Sequence, residues 1–202
     1  DYEYIEYSVS SFASGILTAN SGEKVKLPAG IQYYFKGNTI NYSELSSILE
    51  KNSSVIIAYD EDKPVYGAVF DPIKSDPEVI TGSMVGIPLE IKYKGHLIDK
   101  GGKYISASQI EINDVVYKVT DIWNQNAYFI VYDDVVSGKI TAILPNKISP
   151  VSIEIDNKPY TFAETFPKEK LNRAETTQVG ETAKLIIGAD GKAVDIITET
   201  IP

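Results

Sequence analysis

The sequence has no cysteine, one histidine, one arginine and one methionine among its 202 residues. The absence of cysteine excludes disulfides, thiolate metal sites and a cysteine nucleophile. With His96 as the only imidazole and no Gly-x-Ser-x-Gly motif, neither a histidine-based metal cluster nor a serine hydrolase is expected. No apolar run approaches the roughly 18 to 20 residues that cross a bilayer, so we expect no membrane insertion.

Positive charge is also scarce. The chain carries 28 acidic residues against 19 lysine and arginine residues, which gives a net charge of -9 and a pI near 4.7. Such a chain repels phosphate backbones and anionic lipid surfaces, so nucleic acid is not an expected partner. Hydrophobic residues make up 43% of the sequence, enough to bury a core. Because the chain begins at Asp1 rather than methionine, we expect it to be a segment of a longer protein.

Short stretches rich in β-branched and aromatic residues, bounded by glycine, asparagine, aspartate or proline, dominate the sequence and predict strands. The predicted strands cover residues 2–9, 31–35, 55–59, 65–70, 89–93, 115–121, 128–132, 139–144, 152–155, 183–187 and 193–198. One helix is predicted near 42–51, where an apolar stripe begins at Leu45 and Asn41 or Ser43 can cap the first turn. A shorter helix is predicted at 168–171.

The two ends of the chain resemble each other. Residues 14–19 read SGILTA and residues 137–142 read SGKITA, and each motif follows a strand rich in aromatic residues. Each copy continues with a polar turn, a tyrosine, a helix-like stretch and a closing β-hairpin, at 55–70 in the first copy and at 185–197 in the second. This self-similarity predicts two related units.

The repeats also predict the domain organisation. A first β unit covers residues 1–71, a β-rich middle segment covers 72–126, and a second β unit covers 127–202. The middle segment is either a third small barrel or a set of strands inserted into the second unit. The predicted fold class is mostly β, with two related small barrel-like or sandwich-like units flanking the middle segment and one or two short helices.

Three stretches resemble a known family. They are VVYKVTDIWNQNAYFIVYDDV at 115–135, SGKITAILPNKISPVSIEIDNKPYTF at 137–162 and VGETAKLIIGADGKAVDII at 179–197. Together they resemble the repeated β modules of clostridial cell-surface proteins that contain S-layer homology domains. Asn157 stands where that family usually has glycine, a mild departure since asparagine also tolerates positive φ. The resemblance implies an extracellular, Gram-positive cell-wall location, other domains of the same surface protein as partners, and no catalytic residues.

The acidic residues and glycines form no recognisable catalytic or metal-binding motif. The clusters at 60–62 and 133–134 lack the spacing of a calcium-binding EF-hand loop, and Gly101-Gly102 lacks the context of a phosphate loop. These acids are interpreted as solvated turn and edge charges. We therefore expect no enzyme activity, no metal and no cofactor.

The only tryptophan is the most suggestive binding residue. Trp123 precedes Asn124-Gln125-Asn126 and Tyr128, at the predicted tip of a hairpin. Exposed there, its ring could stack on a sugar while the amides of Asn124 and Asn126 bind hydroxyls, with Tyr128 beside them. The alternative is that Trp123 plugs the bottom of a barrel or fills a contact between units, because large aromatic residues are usually buried.

Two functions remain open from the sequence. The first is a non-catalytic structural spacer of an S-layer-type surface protein, which predicts no concentrated aromatic or acidic cleft. The second is a carbohydrate-binding module for cell-wall or plant polysaccharide, which predicts a solvent-exposed aromatic strip. A protein partner that adds strands to an exposed sheet edge is a further possibility, and an intramolecular lysine-to-asparagine or lysine-to-aspartate isopeptide crosslink is compatible with the composition.

Overall fold

A computed structural model of the chain describes residues 1–172 and 177–198. It confirms that the protein is mostly β and contains three sheets. The strands are β1 (Glu3–Ala13), β2 (Ile16–Ala19), β3 (Lys24–Lys26), β4 (Gln32–Phe35), β5 (Asn38–Ile40), β6 (Ser54–Asp60), β7 (Lys63–Phe70), β8 (Ile73–Lys74), β9 (Glu78–Val79), β10 (Ile98–Lys100), β11 (Lys103–Tyr104), β12 (Val115–Thr120), β13 (Tyr128–Tyr132), β14 (Val135–Leu144), β15 (Ser152–Ile155), β16 (Lys158–Thr161), β17 (Thr182–Ile187) and β18 (Ala193–Thr198). The helices are α1 (Leu45–Ile48) and α2 (Ile87–Lys92), with 3-10 turns at Tyr42–Glu44, Ala107–Gln109, Lys168–Asn172 and Ala189–Gly191.

The chain divides into two compact units that do not follow its linear order. Unit A contains Asp1–Ser75 and Lys118–Tyr128, and unit B contains Asp76–Tyr117 and Phe129–Pro202. The final residues of β12 therefore belong to unit A, where they pair with β8, and its first residues belong to unit B, where they pair with β9. Within the described parts of the chain, no helix is both long and apolar enough to span a bilayer.

Unit A is organised around a seven-stranded sheet with the order β3-β2-β1-β6-β7-β4-β5. β1 is long enough to pair with two strands: its first half is antiparallel to β6 and its second half is antiparallel to β2. A register shift between Val9 and Ser11 separates the two halves. Such an irregularity lets a strand bend, so β1 can pair with β6 along its first half and with β2 along its second half.

One face of this sheet forms the core of unit A. Along β6, Val55 and Ile57 are fully buried on this face, two residues apart as the period of a strand requires. Tyr33 of β4 is also fully buried, and its hydroxyl donates to the carbonyl oxygen of Pro28 at 2.7 Å. Gly67 makes this packing possible, because a Cβ at that position would lie 2.6 Å from the Tyr33 ring.

Unit B contains a five-stranded sheet with the order β16-β15-β14-β17-β18 and the strands β10, β11 and β13. The five-stranded sheet buries an aliphatic core that includes Ile140, Ile153 and Leu185. On its other side Ile186 and Val194 pack with Val115 and Tyr117 of β12. Because β17 and β18 are covered on both faces, their buried apolar residues are consecutive, at 185–187 and at 193–194.

Two predicted elements differ from the structure. The helix expected near 42–51 is a 3-10 turn followed by α1, and it ends at Ile48 because Leu49 is already extended, with ψ of 123°. Residues 89–93 were predicted as a strand and instead lie largely in α2, where Pro88 presets the first turn. In this helix Leu89 and Tyr93, four residues apart, both reach the core of unit B.

Alkaline pH is expected to destabilise unit B through Tyr93. Burial, with a smaller contribution from the nearby Glu78 carboxylate, raises the pKa of Tyr93 to about 12. The folded protein therefore keeps a proton that the unfolded chain releases above its ordinary pKa, so stability falls as the pH rises from about 10 to about 12. Tyr93→Phe should lessen this fall by about 1.4 kcal/mol per pH unit in urea titrations. If Tyr93→Phe leaves the slope of the unfolding free energy against pH unchanged, Tyr93 is not the cause of the alkaline destabilisation.

Candidate functional site

A groove of about 380 Å³ lies in unit A beside β1. Its lining residues are mostly polar and come from β1, the β2–β3 turn and the loop that follows β12: Glu6, Tyr7, Ser8, Ala19, Asn20, Ser21, Glu23, Asp121, Trp123, Gln125 and Asn126. Of the residues predicted from sequence, Trp123 and Asn126 line the groove. Asn124 and Tyr128 belong to the same segment but do not line it.

Asp121 organises the loop that carries Trp123. Its side chain is almost fully buried, and its Oδ1 accepts hydrogen bonds from the backbone N–H groups of Trp123 at 3.2 Å and Gln125 at 2.8 Å. Its Oδ2 accepts a hydrogen bond from Asn126 Nδ2 at 2.9 Å. A carboxylate that accepts several N–H groups within one turn holds that turn in a single conformation. The loop is therefore positioned before any ligand arrives.

Asn52 fastens the same loop to the sheet. Its side chain is fully buried, and Nδ2 donates to the carbonyl oxygens of Val119, at 3.0 Å, and Asn126. Its Oδ1 accepts a hydrogen bond from Asn20 Nδ2 at 2.9 Å, and the same Asn20 nitrogen donates to Ser8 Oγ at 2.7 Å. This chain of amides connects the floor of the groove to the loop above it. Each buried polar atom in it has a partner, as stable buried networks require.

Trp123 is half-buried in this groove. It is neither a core plug nor a fully exposed ring, so part of its surface is accessible from the groove. Tyr128, the other predicted aromatic residue, is also half-buried, and Lys51 Nζ lies 5.4 Å from the centre of its ring. Burial lowers the pKa of Lys51. Tyr128 is thus held by a cation contact on its own side of the loop rather than in the groove.

The charge of the groove is negative. Glu6 and Glu23 are exposed at its rim, Asp121 lies below, and no lysine or arginine is among its lining residues. The pKa of Tyr7 is raised by burial first, and then by the neighbouring Tyr59 and by Glu23. Tyr7 is almost fully buried and packs into the core of unit A, so the polar groups that the groove offers are its amides, hydroxyls and carboxylates. The groove is suited to an uncharged or cationic ligand rather than an anion.

An aromatic strip lies on the outward face of the same sheet. Tyr2, Tyr4 and Tyr34 are exposed, and Tyr66 lies between them. The ring of Tyr66 is edge-on to the rings of Tyr2 and Tyr34, with centroids 6.0 Å apart in both pairs. Tyr2, Tyr4 and Tyr34 contact Tyr66 across strands on this face, whereas Tyr33 lies in the core.

The remaining reactive groups do not converge on a site. His96 lies edge-on to Phe129 in unit B, with ring centroids 5.4 Å apart. In the acidic pair at 133–134, Asp133 lies 3.7 Å from Lys100 Nζ, which also bonds Asp114 at 3.0 Å. Among residues 1–172 and 177–198, no cluster of three or more histidine or acidic side chains is arranged to hold a metal ion.

The residues that position the groove were missed by sequence reasoning. Asn52 and Asn20 carry no local signal, because their partners lie far away along the chain. Asp121 carried a local signal, since an aspartate followed closely by asparagines often forms a turn in which its side chain accepts backbone hydrogen bonds. In comparisons with known proteins, no family model and no curated protein matches this chain. We therefore infer the binding function from the groove and the strip.

Proposed function

We propose that this chain is a non-catalytic module of an extracellular, Gram-positive cell-surface protein and that it binds polysaccharide in the Trp123 groove. The observation that carries the proposal is the half-buried Trp123 ring in a groove whose other walls are amides, hydroxyls and carboxylates. Sugars present apolar C–H faces to aromatic rings and hydroxyls to polar side chains, so they need both kinds of wall. The surface location follows from the family resemblance of residues 115–197.

The proposed role needs no cofactor, metal or catalytic residue. Asp121, the most buried acid of the groove, has both carboxylate oxygens engaged in the turn that carries Trp123, which supports a structural role for it. The negative rim supports a ligand that is not an anion. Within the classes of cell-wall and plant polysaccharide, this favours uncharged chains.

A structural spacer role is the second candidate, supported by a recurring arrangement of strands. The orders β3-β2-β1-β6-β7 and β16-β15-β14-β17-β18 correspond strand by strand. In each, the first half of one long strand, β1 or β14, pairs with a strand of the closing hairpin, β6 or β17. The second half pairs with the strand that follows it in the chain, β2 or β15, and this pairing contains a register shift. This correspondence supports two related β units, which could stack in series with other domains of the parent protein.

The topological correspondence differs from the one suggested by the motifs. Ser14 and Gly15 of SGILTA lie in the turn between β1 and β2, both with positive φ. Ser137 and Gly138 of SGKITA lie inside β14 and pair with β17. Aligning the long strands β1 and β14 therefore shifts the two motifs out of register. The proposed repeat rests on strand order and on the closing hairpins.

The polysaccharide proposal is tested with Trp123→Ala. We expect this variant to bind at least about tenfold more weakly than wild type, because it loses the stacking surface. The wild-type chain is titrated by calorimetry with peptidoglycan fragments, secondary wall polymer and plant glycans, and its single tryptophan makes emission a direct report on the groove.

Asn124→Gly is the matched control for this experiment. Asn124 has a φ of 56°, which glycine tolerates, and its side chain does not line the groove. Its affinity should stay within about twofold of wild type. If wild type and Trp123→Ala bind equally and circular dichroism shows an intact fold, the groove is not the binding site. An absence of binding to every glycan tested would favour the spacer role.

A further inference from the structure

The tyrosine strip and part of the wall of the Trp123 groove lie on one face of the seven-stranded sheet. The register pairs Tyr4 with Ala58 and Ala58 with Tyr66 across three adjacent strands. Side chains alternate along a strand, so Glu6 and Ser8 share the face of Tyr4 on β1. Both of these residues line the groove. The strip and the groove therefore adjoin along β1, and we call their exposed and half-buried residues the β1 track: Tyr2, Tyr4, Tyr34, Tyr66, Glu6, Ser8 and Trp123.

The strip is held in place without a ligand. The hydroxyls of Tyr4 and Tyr66 lie 3.2 Å apart and share a hydrogen bond. Ala58 between them is fully buried, which indicates that the tyrosine side chains close over it. Tyr4 itself remains 56% exposed, so its ring covers Ala58 and still presents surface to solvent. Aromatic rings ordered in this way lose little conformational entropy when they bind.

The dimensions of the track suit an extended chain. From Tyr4 to Ser8 it runs about 13 Å along β1, at roughly 3.3 Å for each strand residue. Tyr66 adds about 10 Å across the sheet, two strand spacings from Tyr4. A single sugar ring would occupy only the groove or only the strip. A chain of several sugars is needed to contact Trp123 and Tyr4 together.

The charge of the track limits the chemistry of that chain. In the three cross-strand rows that begin at Tyr4, Glu6 and Ser8, the partners are Ala58, Tyr66, Gln32, Ile56, Ala68, Tyr34, Ser54 and Phe70. Glu6 is therefore the only charged residue of these rows. A polyanion would meet a carboxylate and no base, so the complementary ligand has no acidic groups.

We propose that the β1 track binds the interior of a linear, uncharged, β-1,4-linked polysaccharide, with some sugars on the tyrosine strip and others in the Trp123 groove. Equatorial linkages keep such a chain flat and extended, and they expose C–H faces to aromatic rings. This inference rests on the proposed function and deepens it, because it names the ligand class and requires two contact points on one chain.

The test compares a short and a long ligand of the same chemistry. Oligomers of β-1,4-linked N-acetylglucosamine with two and six sugars are titrated while Trp123 emission and calorimetric heat are recorded. The six-sugar oligomer should bind at least about tenfold more tightly than the two-sugar oligomer, because only the longer chain reaches both contact points. Tyr4→Ala and Tyr34→Ala should each reduce this preference to about threefold or less without changing the affinity for the short oligomer.

Tyr104→Ala is the matched control, since Tyr104 is an exposed tyrosine, at 62%, on β11 in unit B. It should keep the full preference for the long oligomer. Equal affinities for both oligomers, or a preference that survives both tyrosine substitutions, would overturn the extended track. If Trp123→Ala still abolished binding in that case, the groove proposal would stand alone. If the six-sugar oligomer does not bind to wild type, this ligand class is rejected. If another glycan binds instead, the proposal that the groove is a polysaccharide site still stands.

Discussion

Replacing Asn52 with alanine is expected to lower the free energy of unfolding by about 3 kcal/mol, which is large for a single polar side chain. Asn52 is fully buried and donates to the carbonyl oxygens of Val119 and Asn126, while its own oxygen accepts from Asn20. Alanine would leave these three partners without their hydrogen bonds to Asn52. Unfolding in urea followed by Trp123 fluorescence measures the loss, because Trp123 lies on the loop that Asn52 fastens.

Asn52→Gly separates the two causes of this loss. Asn52 has a φ of 67°, a conformation that costs alanine more than it costs asparagine or glycine. The glycine variant lacks the same hydrogen bonds but has no such strain, so it should be about 1 kcal/mol more stable than the alanine variant. A loss below about 1 kcal/mol for Asn52→Ala would show that the amide network does not hold the loop.

Gly188→Ala is expected to destabilise unit B by about 3 kcal/mol through steric conflict. A Cβ at this position would lie 2.2 Å from Tyr117 Oη and 2.8 Å from Val194 Cγ1. The φ of Gly188 is -108°, outside the left-handed region that favours glycine, and both close neighbours of the added Cβ are side-chain atoms, so we expect the cost to come chiefly from packing. Urea unfolding monitored by far-ultraviolet circular dichroism would measure the change.

A double-mutant cycle with Tyr117→Phe identifies the source of the conflict. The Tyr117 hydroxyl accepts a hydrogen bond from the backbone N–H of Ala189 at 2.9 Å, so its removal alone should cost about 1 kcal/mol. Removing the Tyr117 hydroxyl also frees the space that an alanine Cβ at position 188 needs. The double variant should therefore be at least about 1 kcal/mol more stable than the sum of the single effects predicts. Strict additivity would mean that the backbone shifts instead.

The strand content of this chain was readable from its sequence because side chains in a strand repeat every two residues. Residues 128–132 and 152–155 were predicted as strands and coincide with β13 and β15. Residues 89–93 misled the prediction, because Leu89, Ile91 and Tyr93 also alternate. In the structure, Leu89 and Tyr93 are buried one helical turn apart, while Ile91 is exposed. Five residues are too few to separate the two periods.

The candidate site was only partly accessible from the sequence. Trp123 and Asn126 were singled out by residue type, and the structure places both in a groove; their role in binding stays a prediction. Tyr4 and Tyr66 were not connected to them, because strand register decides which tyrosines meet. The spacer hypothesis predicted no concentrated aromatic or acidic cleft, whereas the polysaccharide hypothesis predicted a solvent-exposed aromatic strip. The exposed tyrosines of the strip are the observation that favours the polysaccharide proposal.

Composition and local pattern alone determined that the chain is a β-rich, acidic protein with no cysteine and a single histidine. These properties depend on which residues are present and on spacings of a few positions. Tertiary structure decided which face of the seven-stranded sheet is buried, that the loop at 121–127 closes over Ser8 and Asn20, and that Asn52 holds it there. Such contacts join residues about 70 positions apart, as Asn52 and Asn126 are. Only folding brings them together, because no short-range preference encodes a partner at that distance.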